Sequence, residues 1–194
     1  MFKGRPGSLA VVHRLLSAGM TPQQLLTDSD GELTTLLERE WVSVGHMSDA
    51  DLRILGLLVF ARTAVTASDV ARVLCSSTTD VAALMHRIPF IYSDPATHVL
   101  SIVGDTMRQF VVRKTERFRK ELLDALINDL KATPAARESL STLPRYFQDA
   151  GRLQELVNYL TPDRLSESLR HAETLRPLSE TLGAGLEAAT KLKR

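Results

Sequence analysis

Apolar residues recur at helical spacing along almost the whole chain, and one stretch breaks that rhythm. Phe90-Ile91-Tyr92 and Val99-Leu100-Ser101-Ile102-Val103 are rich in strand-favouring residues, with Ser93-Asp94-Pro95 between them as turn chemistry. A single hairpin set in helical periodicity points to a mainly α fold. At 194 residues the chain can bury one good core or two small ones side by side.

Before the hairpin the chain reads as two helical blocks. In residues 1–46, Ser8 is expected to cap a helix with Leu9, Val12, Leu15 and Leu16 facing a core, and Gly19 to end it. Thr21-Pro22 restarts the chain as a cap followed by proline in the first turn. A third helix, over residues 31–44, puts Leu33, Leu36, Leu37 and Trp41 on one stripe. From residue 47 the capping pairs Ser48/Asp51 and Thr66/Asp69 each open a helix, the first carrying Leu52, Leu55, Leu58 and Val59. Ser76 to Thr79 reads as a turn, and residues 80–88 as a short helix with Val81, Leu84 and Met85 inward. Three helices and then a hairpin is the order of a winged helix, expected over residues 47–115. Trp41 and Phe60 fall on the apolar stripes of their helices and are expected to be buried.

After the hairpin the pattern is helical again. Met107, Phe110, Val111, Phe118, Leu122, Leu126 and Leu130 form one continuing face over residues 105–130. Beyond Pro134 the helices shorten, and the last carries Leu178, Leu182 and Leu186, weakened by Gly183 and Gly185. Short helix pairs without strands predict an α-solenoid-like segment over residues 116–194.

Chemistry is conspicuously sparse. The chain has no Gly-x-x-x-x-Gly-Lys-Ser/Thr loop, no Gly-x-Ser-x-Gly elbow and no His-Glu-x-x-His helix. His13, His46, His86, His98 and His171 have no metal-ligand spacing among themselves or with Cys75. Cys75, the single cysteine, fits a reducing compartment and reads as a packed thiol at a helix end. The expectation is therefore a chain that is not an enzyme, with no metal site and no cofactor bound by itself.

Charge weighs against nucleic acid. The formal net charge is +1, and between Thr66 and Ile88 the cations Arg72 and Arg87 are offset by Asp69 and Asp80. Phosphate contacts need several net positive charges on one surface. The cluster Arg113, Lys114, Arg117, Arg119 and Lys120 is interleaved with Glu116 and Glu121, the pattern of a solvated helix face. The longest apolar run, Ile54 to Ala61, is too short for a membrane span. Lys3, Arg5 and Arg14 precede any acid and have the loose composition of a transit peptide, but Pro6 and Gly7 interrupt it. A cytoplasmic location is expected.

Three short motifs carry a family resemblance. Gly4-Arg5-Pro6-Gly7-Ser8-Leu9 resembles the Gly-x-Pro element that opens the small helical domain of STAND-type signalling ATPases, the NACHT and NB-ARC relatives. Val103-Gly104-Asp105, with Met107 and Phe110, is similar in position to the Met-His-Asp element that ends their winged helix. Leu143-Pro144-Arg145-Tyr146-Phe147 with Asp149-Ala150-Gly151-Arg152 and Leu156 looks like the helix pair that often follows. The resemblance implies a small helical, lid-like segment over 1–46, a winged helix over 47–115 and a repeat-like segment over 116–194, all lying beyond a nucleotide-binding core. It also implies that Gly4 and Pro6 touch the adenine of ATP or ADP when joined to such a core, in cis or in trans, with protein effectors as further partners. Gly104 departs from the pattern, because the family has there the histidine that senses the nucleotide's phosphates. Two functions follow: a regulatory and interaction segment of a nucleotide-switched signalling protein, or a free-standing winged-helix DNA-binding transcription regulator.

Overall fold

Residues 6–27, 33–132, 137–171 and 176–193 are described by the structure, a computed structural model. The fold is mainly helical with a small three-stranded antiparallel sheet. By its internal contacts the chain forms two compact units. The first takes Met1–Val59 with Ala64–Arg117, and the second takes Phe60–Thr63 with Phe118–Arg194.

The first unit runs α1 (Pro6–Ser17), α2 (Pro22–Thr27), α3 (Leu33–Ser43), α4 (Asp49–Phe60), β1 (Val65–Thr66), α5 (Ala67–Val73), α6 (Thr78–Arg87), β2 (Ile91–Ser93), β3 (Val99–Ile102) and α7 (Asp105–Thr115). Its helix starts are set locally. Thr21 and Gln24, Ser48 and Asp51, Thr66 and Asp69, and Ser77 and Asp80 each form a reciprocal cap. In each, the first residue's hydroxyl accepts the N–H three positions on, and the later side chain accepts the first residue's N–H. The Ser77 cap starts α6 at Thr78, so part of the expected turn at Ser76–Thr79 is helix. Ser8 lies inside the first turn of α1, which Pro6 opens, so it is not the cap. Gly19 does end α1: at φ 93° it is the left-handed residue beyond the helix, and the Met20 N–H reaches Leu15 O at 3.1 Å.

The hairpin pairs Ile91 with Ile102 and Ser93 with Leu100. A third strand, unseen in the sequence, is β1: Val65 pairs with Leu100 and Thr66 with Val99, giving the order β1-β3-β2. Two residues carry no alternation to read, and Thr66 was already legible as a cap. The core of this unit gathers Leu36, Leu55, Val81, Ile88, Phe90 and Phe110, all essentially inaccessible. In α4 every residue from Ile54 to Val59 is buried, as expected of a helix enclosed on all sides. Trp41 is half-buried rather than buried, stacked on Phe90 at 6.1 Å between ring centroids and edge-on to Phe110 at 5.7 Å.

The second unit contains α8 (Arg119–Ala132), α9 (Arg137–Asp149), α10 (Leu153–Tyr159), α11 (Pro162–His171) and α12 (Arg176–Leu192). The stretch over residues 105–130, expected to carry one continuing apolar face, is interrupted by a 3-10 turn at Glu116–Phe118. Buried Thr115 explains the break. Its hydroxyl donates to Val111 O at 2.8 Å, drawing on a carbonyl one turn back and loosening the ladder there. Helix α9 packs on α8, α10, α11 and α12, and lays Leu143, Tyr146 and Phe147 inward. Phe60 is half-buried, not buried, with the Arg119 guanidinium 5.8 Å from its ring centroid. On α12 the leucine stripe faces outward, with Leu182 and Leu186 exposed, while Thr181, Gly185 and Ala188 are buried. Small residues allow the closer approach: a Cβ on Gly185 would run into Leu160, which caps the end of α10.

Candidate interaction site

Helix α1 is apolar on two sides, and only one is covered. Val11 and Leu15 are 3% and 1% exposed and face α3, whereas Leu9 and Leu16 are 58% and 39% exposed. Val12 is intermediate. At spacings of three and seven residues, Leu9, Val12 and Leu16 lie on one face, so the expectation that they share Leu15's burial is corrected. Against α3 the helix buries one stripe, and Val11 with Leu15 takes it.

An ion pair locks that choice. Glu40 of α3 is 1% exposed, and both its oxygens accept from the Arg14 fork, Nε to Oε1 and Nη2 to Oε2, the latter at 3.0 Å. A carboxylate so enclosed is tolerable only when paired. Rotating α1 to bury Leu9 and Leu16 would pull Arg14 off Glu40. The uncovered stripe follows directly on Pro6, which heads α1, while Gly4 and the Pro6 side chain lie outside the described residues.

Gly104 precedes α7 with φ 80° and ψ 138°, backbone that a side chain strains. The place where the resembling family has histidine is thus held in a conformation suited to glycine. Asp105 stands exposed in the first turn of α7, where its charge complements the helix N-terminus.

The outward face of α6 is polar and small: Thr78, Thr79, Ala82, Ala83 and His86 are exposed. Its one arginine is engaged elsewhere than expected. Arg87 pairs with Asp51 of α4 at 2.6 Å, not with Asp80, whose carboxylate serves the Ser77 cap. Burial opposes ionisation of Asp51, but the Arg87 guanidinium and the Ser48 N–H and hydroxyl together hold its carboxyl below the usual range. Arg72 pairs with Asp69 at 2.8 Å. In the hairpin turn, Asp94 accepts from Thr97 N–H, Thr97 Oγ1 and Ala96 N–H, which lower its pKa and keep a negative charge at the tip. Two cations of the basic cluster are paired as well: Lys114 reaches Glu38 at 2.8 Å and Arg117 reaches Asp49 at 2.5 Å.

Between α4 and α6 lies a cavity of about 460 Å³ floored by Ile54, Leu74 and Leu84 and rimmed by Asp51 and Arg87. Asp80 and Arg53 line it as well. Among the described residues no three His, Cys, Asp or Glu side chains are grouped to hold a metal ion. No described helix is long and apolar enough to cross a membrane. Cys75 is exposed, against the expectation of a packed thiol. It occupies the left-handed position that ends α5, at φ 51°, while Ser76 N–H bonds back to Ala71 O at 2.9 Å.

No protein-family model matches the chain, nor does any curated protein or solved structure.

Proposed function

We propose that this chain is a non-catalytic regulatory and interaction segment of a nucleotide-switched, STAND-type signalling ATPase acting in the cytoplasm. In this reading α1–α3 form the small helical lid, α4 to α7 with the sheet form a winged helix, and α8–α12 open a helical-repeat array. The lid and winged helix pack on an ATPase core, and the array passes the nucleotide state to a protein effector.

The uncovered Leu9–Val12–Leu16 stripe carries the reading. It stands on the helix that Pro6 begins, where the resembling proteins meet their nucleotide-binding core, and an ATPase core is the neighbour that would cover it. The winged helix is supported by the order helix, strand, helix, helix, strand, strand from α4 to β3 and by the β1-β3-β2 sheet. The polar face of α6 and the acidic turn at Asp94 favour a protein neighbour over a phosphate backbone.

Calorimetry with ADP tests the proposal. The chain alone is expected to bind none, because phosphate affinity in such folds comes from a glycine-rich loop, its lysine and magnesium. A protein in which a core of this class precedes Gly4 is expected to bind ADP, and to do so at least tenfold more weakly after Leu9→Asp with Leu16→Asp or after Pro6→Ser. Affinity indifferent to both changes would sink the assignment. Sub-micromolar DNA binding at physiological salt, lost on Arg87→Ala, would promote the free-standing transcription regulator instead.

A further inference from the structure

The groove between α4 and α6 sets charges of both signs around an apolar floor. Ile54 and Leu84 are buried beneath it, and Leu74 is half-buried beside them. Asp51, Asp80, Arg53 and Arg87 stand in its lining, two carboxylates against two guanidinium groups, so the lining carries no net charge. Its volume of about 460 Å³ lies within the range of small-molecule sites, about 300–1,000 Å³. Every lining residue belongs to the first unit.

The spacing of α6 decides which charges a ligand meets. Asp80, Ala83, Leu84 and Arg87 fall at i, i+3, i+4 and i+7, on one face of the helix. At 1.5 Å per residue, Asp80 precedes Arg87 by about 10.5 Å along the axis. Asp80 is the more weakly engaged of the groove's carboxylates. The bond it accepts from the N–H three residues back is 3.4 Å long, against 2.8 Å for the same bond at Asp51. Arg87 gives one donor to Asp51 at 2.6 Å and one to the His46 carbonyl at 3.4 Å. A guanidinium has five.

We infer that this groove binds an apolar dipeptide with free ends, its ammonium on Asp80, its carboxylate on Arg87 and its side chains over Ile54, Leu74 and Leu84. A neutral lining offers no net attraction to an anion or a cation, whereas paired signs complement a zwitterion. An uncharged apolar ligand would cover the rim charges without replacing their water. Length selects the dipeptide. Consecutive Cα atoms lie about 3.8 Å apart, so an extended dipeptide separates its charges by about 6 Å. An ionic hydrogen bond of about 2.8 Å at each end brings the span to about 11–12 Å, close to the spacing on α6. A single amino acid, its charges about 2.5 Å apart, spans only about 8 Å. The inference goes beyond the proposed function and does not depend on it, since no residue of α1 lines the groove.

Titrating L-leucyl-L-leucine into the isotope-labelled full chain, with amide chemical shifts as the readout, tests it. The amides of Asp51, Leu74 and Ala83 are expected to shift with a Kd of about 0.1 mM. Acetylating the ammonium or amidating the carboxylate should each weaken binding about tenfold, and free leucine should bind at least tenfold more weakly than the dipeptide. Asp80→Asn should cost the free dipeptide the same factor and leave the acetylated form unchanged; Arg87→Gln should do so for the amidated form. Asp80→Asn keeps the Ser77 hydroxyl as acceptor for the N–H of residue 80, so α6 retains its start. Ala83→Trp, at an exposed position, should fill the groove and abolish the shifts while the rest of the spectrum stays folded. Three results overturn the inference. One is an absence of lining shifts at about 10 mM dipeptide. Another is a doubly blocked dipeptide binding as tightly as the free one, which would make the groove an apolar docking surface for a partner's chain. The third is Asp80→Asn weakening the free and acetylated forms alike, as a merely structural role would.

Discussion

Four helices of the first unit start on caps closed within a single turn, whereas in the second unit α10 starts without one. Reciprocal caps open α2, α4, α5 and α6, each closed within three residues. In the second unit α10 begins at Arg152 with no side-chain cap, and the Thr161 hydroxyl accepts the Arg164 N–H at 3.3 Å as a one-way cap of α11. Bridges tie elements together within both units: in the second, Arg152 joins Asp124 at 2.6 Å, Lys131 joins Glu155 at 2.5 Å and Arg62 joins Asp149, as Lys114 joins Glu38 and Arg117 joins Asp49 in the first. Lys131 also lies over the Phe147 ring, 5.2 Å from its centroid. Local instructions settle where an element starts; distant ones settle what it packs against.

The largest expected effect tests whether the first unit nevertheless has one core. Phe90→Ala and Phe110→Ala should each cost about 3–5 kcal/mol. Because both rings touch Trp41, the double change should cost less than the sum. Denaturant melts of the three variants measure it. Strict additivity would show that Trp41 does not join the α3 and α7 sides.

Next comes a contrast inside α12. Gly185→Ile forces a branched side chain against Leu160, at a cost of about 1–3 kcal/mol. Gly183→Ala meets nothing within 4 Å and should gain about 0.5–1 kcal/mol from helix propensity. If thermal melting cannot tell the two positions apart, the close packing of α12 on α10 is wrong.

A cap is worth less. Thr66→Ala should lower stability by about 1 kcal/mol, and Thr66→Asn should recover most of it. Failure of asparagine to rescue would mean that Thr66 matters through its β1 pairing rather than its cap.

The smallest effect is acid sensitivity. Asp51 and Asp69 have folded-state pKa values below the usual carboxylate range. Burial opposes this in both, and is outweighed by hydrogen bonds from Arg87 and Ser48 to Asp51, and from Thr66 and Arg72 to Asp69. Depressed values mean stability fully present above the ordinary range and lost as pH falls through the folded values. Trp41 fluorescence during acid titration should therefore hold steady down to that range and then drop. Asp51→Asn with Asp69→Asn should flatten the drop; an unchanged profile would place the acid response elsewhere.

The same contrast explains what could be read from the chain alone. The Thr66/Asp69 and Ser48/Asp51 pairs were visible because both partners sit within one turn. Helical periodicity located α3 and α4, and strand-favouring residues the hairpin, but neither told which side of α1 is covered. Leu9, Val12, Leu15 and Leu16 are equally apolar, and the deciding partner, Glu40, lies 26 residues from Arg14. On α12 the eye follows leucines, whereas packing chose Thr181, Gly185 and Ala188, for which hydrophobicity is the wrong scale. The break at Thr115 depends on one hydroxyl's orientation, and β1 is shorter than any period. Of the candidate site, the Gly4-x-Pro6 motif was legible; that Pro6 heads α1, and that the stripe beside it is exposed, were not.

The discontinuity of the second unit has a consequence for how the protein is made. Residues 60–63 leave the ribosome more than fifty residues ahead of Phe118, where the rest of their unit begins. Synthesis at about 5–20 residues per second leaves them several seconds without Tyr146 or Asp149. During that interval Phe60 lacks Arg119 and Arg62 lacks its acceptors, and the nascent chain carries an unfinished edge beside a helix that is ready to fold. Closing a contact between residues 62 and 149 is entropically late. The first unit should therefore mature in two stages, with α4 settling last at its C-terminal end, and a ribosome stalled before residue 146 should display a protease-sensitive site at Arg62.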